Sequence, residues 1–120
     1  MLENFHTLNN ISTDGNHTKA MITINKDHEV FKGHFPGNPV TPGVCMMHII
    51  KGMTELIVGK KLFMRSSSNI KFLAVINPEK TPELMIDLEV LETEEGYKVR
   101  SETRFGETLA LKLSSLYLVK

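Results

Sequence analysis

The run Gly33-His34-Phe35-Pro36-Gly37-Asn38-Pro39-Val40-Thr41-Pro42-Gly43-Val44, with the apolar stretch after it to Val58, constrains this chain more than any other part. Its first half cannot be regular structure. Pro36, Pro39 and Pro42 lack backbone donors, and Gly33, Gly37 and Gly43 permit dihedrals that other residues avoid. The expectation is a rigid, kinked loop with His34 near its start. The second half reads as a helix. Thr41 is placed to act as N-cap, and Pro42 suits the first helical position, where a missing N–H costs nothing. From Val44 to Val58 the sequence is VCMMHIIKGMTELIV, apolar on nearly every side. Such a helix is expected to be buried all round. The loop therefore delivers an imidazole to the N-terminal end of a buried helix, where unpaired N–H groups gather.

The remainder is strand-rich. Phe5 to Ser12 and Thr18 to Ile24 read as strands separated by the turn residues Thr13-Asp14-Gly15-Asn16. Gly59-Lys60-Lys61 supplies a glycine and two cations suited to a helix C-terminus. Asn69 to Ile76 is a further strand, closed by Asn77-Pro78. Leu84, Ile86, Leu88 and Val90 alternate with Asp87 and Glu89 up to the turn Thr93 to Gly96. Tyr97, Val99, Ser101 and Thr103 lie opposite Lys98, Arg100, Glu102 and Arg104, the pattern of a half-solvated antiparallel strand. After Phe105-Gly106-Glu107-Thr108, a last strand runs through Leu109, Leu111 and Leu113 to Val119. One long helix with five or six antiparallel strands is an α+β arrangement in which a curled sheet wraps the helix. A chain of 120 residues is expected to form a single domain over 1–120.

Composition narrows the function. Fourteen Lys and Arg residues balance fourteen Asp and Glu, a formal net charge of zero, which argues against nucleic acid as the main partner. No tract is apolar enough to span a membrane, and Met1 to His6 does not read as a signal peptide. Cys45 is the lone cysteine, consistent with a reducing cytoplasm and with no internal disulfide.

The string from Gly33 to Val44 closely resembles the signature loop of the hot-dog-fold 3-hydroxyacyl-acyl-carrier-protein dehydratases of bacterial fatty-acid synthesis, the FabA/FabZ type. Lys71-Phe72-Leu73-Ala74-Val75-Ile76-Asn77-Pro78 is similar to that family's strand entering a turn. The similarity covers roughly residues 20 to 118, and the family's usual arginine- and proline-containing lead-in is absent from the sequence. The resemblance implies a hot-dog fold and the conversion of a 3-hydroxyacyl thioester to a trans-2-enoyl thioester without cofactor. It also implies a substrate carried on the phosphopantetheine arm of acyl carrier protein, and a homodimer or a trimer of dimers.

Residue by residue, the resemblance makes His34 the acid–base group, a role that suits a side chain titrating near neutral pH. Without the motif, His34 reads equally well as a histidine bonded to a nearby carbonyl. Gly43 is implied as the backbone N–H that binds the thioester carbonyl oxygen, although loop geometry alone would also explain it. Phe35, Pro36, Gly37, Pro42 and Val44 are implied as substrate-binding. The departure is His48. It stands where the family carries the Asp or Glu that handles the departing hydroxyl across the dimer interface, and Gly52 stands where a glutamine is usual. His48 reads either as a core histidine filling an old carboxylate pocket or as a protonated donor to the leaving hydroxyl. Glu55 lies two turns further, roughly 10 Å along the axis, and pairs more naturally with Lys51.

Cys45 on an apolar helix reads as a small buried hydrophobe rather than a nucleophile. His28, His34 and His48 have no metal-ligand spacing, so no metal is expected. Met46, Met47 and Met53 read as core filler that also suits an acyl tunnel. Lys60, Lys61, Arg65 and Lys71 follow the helix and are either carrier-docking residues or ordinary solvated charge. The leading expectation is a dehydratase. A hot-dog thioesterase and a catalytically silent acyl-thioester binder are the alternatives.

Overall fold

The computed structural model describes residues 3–32 and 39–120. The expected strand–helix composition is found: β1 (His6–Asp14), β2 (His17–Ile24), a short 3-10 turn (Glu29–Lys32), α1 (Gly43–Val58), β3 (Leu62–Phe72), β4 (Glu83–Glu92), β5 (Tyr97–Phe105) and β6 (Thr108–Val119). The strands form one antiparallel sheet in the order β1-β2-β4-β5-β6-β3. Alternation decides the faces. Along β4, Leu84, Ile86, Leu88 and Val90 are buried, and along β6 so are Leu111, Leu113 and Tyr117. These side chains belong to one core with Cys45, Met46, Ile49, Ile50 and Met53 of α1. A single sheet face covering one helix is the hot-dog arrangement.

Four expectations are corrected. The strand read as Asn69 to Ile76 is instead Leu62–Phe72, longer and displaced toward the helix. The residues after it leave the sheet but stay tied to β6, with the Leu73 and Ala74 N–H groups donating to the Ala110 carbonyl at 2.8 and 3.3 Å. The first strand begins at His6 and runs on to Asp14, so the turn is shorter than read. Thr41 is not the N-cap. Pro42 holds that position in an extended conformation (φ −64°, ψ 144°), with no side-chain cap bond. The Thr41 N–H is committed instead to the Ile76 carbonyl at 2.8 Å, and its side chain is buried.

The fourth correction concerns α1. The helix is not buried all round: Val44 is 73% exposed and Leu56 61% exposed, and His48 and Gly52 between them are exposed too. Residues spaced by four lie above one another on a helix, so these form one uncovered stripe. The C-terminal end is as expected, with Gly59 in the left-handed region (φ 71°) and its N–H donating to the Glu55 carbonyl at 2.8 Å.

The two sheet edges differ in character. β1 presents Asn9, Asn10, Ser12, Thr13 and Asp14, all exposed and polar, with Leu8 its one exposed large apolar side chain. β3 and the segment after it expose Phe63, Met64, Ile70, Phe72, Leu73 and Val75. The start of β1 is fastened to the segment that follows β2. Asn25 donates from its backbone to the Phe5 carbonyl and from its side chain to the Asn4 carbonyl, at 2.8 and 2.9 Å. Phe5 stacks on Phe31 with ring centroids 5.6 Å apart.

Candidate functional site

The site is built at the N-terminal end of α1. The Cys45 and Met46 N–H groups donate to the Pro42 carbonyl at 3.0 and 3.3 Å. The N–H groups of Gly43 and Val44, one step earlier, have no acceptor within the helix. They lie at the positive end of the helix dipole, where a carbonyl oxygen gaining negative charge is stabilised. The bond from Thr41 to Ile76 brings the loop beside the segment after β3. Between them opens a mostly apolar cleft of about 550 Å³, lined among others by Val40, Pro42, Gly43, Met46, Phe72 and Val75. Thr41 also lines it. Its buried hydroxyl makes no hydrogen bond among the described residues.

Phe72 ends β3 with its side chain toward the helix. A Cβ built on Gly43 would lie 2.5 Å from the Phe72 ring Cζ. The glycine thus permits a close approach, and the ring covers the helix terminus. Phe72 is 59% exposed, so turning the ring aside would uncover little of the core.

Of the sequence-expected site residues, Pro42 and Gly43 share the cleft. Val44 and His48 lie instead on the exposed stripe of α1 in the single chain. His34, Phe35, Pro36 and Gly37 lie outside the described residues. Cys45 is buried, and burial pushes its thiol up, which keeps it from being a nucleophile. Glu55 is taken. Its carboxylate accepts the Leu62 N–H at 2.8 Å and pairs with Lys51 at 3.6 Å. The Leu62 N–H first, then Lys51 and Lys61, hold that carboxyl below the usual range against an opposing effect of burial. It clasps helix to strand and is not a spare catalytic acid.

The cations after the helix separate. Lys60 Nζ lies 3.3 Å from the Tyr97 hydroxyl, Arg65 pairs with Glu95 at 4.0 Å, and Lys71 belongs to the outer face of the sheet. Among the described residues, no group of three His, Cys, Asp or Glu side chains converges as a metal site, and no helix is long and apolar enough to cross a membrane.

His6 escaped the sequence reading. It carries no motif, and only the fold brings this first residue of β1 near α1. Burial, and then the neighbouring His48 imidazole, hold its pKa below the usual 6.5. The folded state therefore resists protonation at His6. Stability from this source is fully present above about pH 6.5 and is lost as pH falls toward the lower folded value. His6→Asn is expected to flatten that loss, read as melting temperature against pH. An unchanged slope would remove His6 from the account.

Comparison with known proteins places these features in context. The ApeI-like family, described as ApeI dehydratase, matches residues 10–109. A 3-hydroxyacyl-[acyl-carrier-protein] dehydratase FabZ from Lactobacillus helveticus is 29% identical over 105 residues, covering 82% of this chain and 69% of the relative. A FabZ from Oenococcus oeni is 33% identical over 106 residues, covering 82% of this chain and 74% of the relative. Among solved structures, the dehydratase heterocomplex ApeI:P from Xenorhabdus doucetiae superposes with a TM-score of 0.80 at 14% identity, covering 93% of this chain and 96% of the other. That last likeness is one of fold.

Proposed function

This chain belongs to the ApeI-like dehydratase family, of the FabA/FabZ type, and on that footing we propose that it removes water from a 3-hydroxyacyl group carried as a thioester on acyl carrier protein. The observation that carries the reading is the helix terminus at Gly43, with unpaired N–H groups facing an apolar cleft. The thioester carbonyl accepts from the Gly43 N–H, which stabilises the enolate-like charge. His34 takes the α-proton. As the Cα–Cβ double bond forms, the C3–O bond breaks, and the departing hydroxyl takes a proton from protonated His48 and leaves as water. His34 ends with one proton more and His48 with one fewer, and exchange with solvent resets both. No cofactor enters. Phe72 swings off Gly43 when the acyl group enters, and Pro42 lines its path.

His48 is exposed in the single chain, and a catalytic donor needs a drier setting than that. We assign the missing cover to a second hot-dog chain paired along β3, in the first instance another copy of this one, with three such pairs forming a hexamer at most. The ApeI:P neighbour is itself a heterocomplex, which supports assembly of this fold in pairs.

The test is incubation with 3-hydroxyacyl- and saturated acyl-carrier-protein thioesters. Enoyl thioester is the expected product. Free acid would instead make the protein a thioesterase, and no product from either substrate would leave it a binder.

A further inference from the structure

The outer face of the sheet, turned away from α1, carries a cleft that the dehydration site does not use. Its shape follows from side-chain lengths along three neighbouring strands. Arg100, Ser114 and Ser68 lie side by side across β5, β6 and β3, and Glu102, Lys112 and Lys71 form the adjacent row. Lys98 stands two residues from Arg100 on the same face. The two short serines are flanked by long charged side chains, leaving a recess of about 460 Å³ roughly 10 Å across three strands.

The charge there is only partly compensated, with Glu89 standing opposite Arg100 on β4. Lys71, Lys98 and Arg100 have no carboxylate within ion-pair distance among the described residues. The carboxylate of the cleft, Glu102, is shared between Arg104 at 3.1 Å and Lys112 at 3.5 Å. Lys71 and Lys112 are directly opposed cross-strand partners. Like charges in that relation repel at about 5 Å and destabilise the pair.

A backbone irregularity creates this opposition. The register shifts between Ser68 and Lys71, and Asn69 in that interval has φ 52°. A bulge of this kind adds one residue and reverses the face on which the following side chains lie. Without it, Lys71 would point to the other face of the sheet. The chain thus adopts an uncommon conformation at a non-glycine residue and thereby places a fourth cation around the two serines.

We propose that this cleft is an anion site that seats a compact polyphosphate of pyrophosphate size. Its terminal oxygens lie between Lys71 and Lys112 on one side and Arg100 and Lys98 on the other, with the Ser68 and Ser114 hydroxyls donating from the floor. A single phosphate would engage only part of this set. A recess this narrow suits a small ligand better than the flat surface of a protein.

Calorimetric titration of the purified chain tests it, with inorganic pyrophosphate and ADP as probes and inorganic phosphate for comparison. Expected is one pyrophosphate bound per chain, weakening as salt is raised. Lys71→Ala and Arg100→Ala should each lower affinity about tenfold or more, while Lys61→Ala, outside the cleft, changes it by less than about twofold. ADP binding as tightly as pyrophosphate would show that the phosphates alone are read, and tighter binding would add a nucleoside to the ligand. Circular dichroism of the variants separates lost binding from lost folding. The proposal is overturned if neither probe saturates the wild type, or if Lys61→Ala costs as much as the cleft substitutions.

Discussion

Replacing His34 with alanine is expected to lower enoyl-thioester formation by about 10²- to 10⁴-fold, the usual contribution of a positioned acid–base group. His48 then separates a donor from a bystander. It lies on the exposed stripe of α1, where substitutions typically change stability by less than about 0.5 kcal/mol. A rate loss in a His48→Ala variant that stays paired by light scattering is therefore interpretable as chemistry. An acid–base pair makes the rate depend on pH, so the comparison is made from about pH 5.5 to about pH 9. His48→Glu should keep activity, because it returns a carboxyl group to the position the family uses. The measurement is enoyl product for wild type, His48→Ala and His48→Glu across that range. A His48→Ala variant as fast as wild type would end the donor assignment. An inactive wild type with an active Glu variant would instead mark a chain that kept the fold and lost the reaction.

The second large effect is expected at the edge of the sheet. Phe63 and Met64 belong to the exposed apolar set on β3, and an unpaired apolar edge is a template for pairing with another strand. Replacing both with lysine puts two like charges on each protomer at the seam. The pair should fall apart at micromolar concentration, and activity per chain should drop by about an order of magnitude or more, because His48 loses its cover. Light scattering and the enoyl assay on the same sample read both. A wild type that is monomeric at that concentration, or a double variant that stays paired, would refute β3 as the seam.

Much of the fold was legible in the sequence because burial leaves a period. β4 and β5 alternate cleanly, and β6 does so from Leu111 onward, since one face meets the core and the other meets water. α1 was found to within a residue of its expected start, because proline and glycine mark that boundary. β3 was misplaced for the same physical reason. Leu62 to Phe72 is an edge strand with two register shifts, so its residues follow no simple alternation. The helix was read as buried all round because Val44, Leu56 and their neighbours are apolar. Composition does not distinguish a face that packs on its own sheet from one that the sheet leaves uncovered. Thr41 was misassigned because a cap reading considers only local bonds, whereas its N–H is claimed by Ile76, far along the chain. Pro42 and Gly43 followed from the motif, but His6 and the covering of Gly43 by Phe72 exist only once distant strands meet.

The contrast between the two edges sets how many neighbours a chain can recruit. β1 offers amides, hydroxyls and a carboxylate at its rim, groups that water satisfies well, whereas β3 offers aromatic and aliphatic side chains. A protomer adhesive at both rims would add copies without end and build a filament. One adhesive at a single rim has a valence of one, so its sheet stops growing after one addition. Growth beyond a pair would then need surfaces other than the sheet rim. With chains paired along β3 as proposed, the polar β1 rim would act as a terminator, and exchanging its asparagines for valine or isoleucine would turn a closed assembly into an open one.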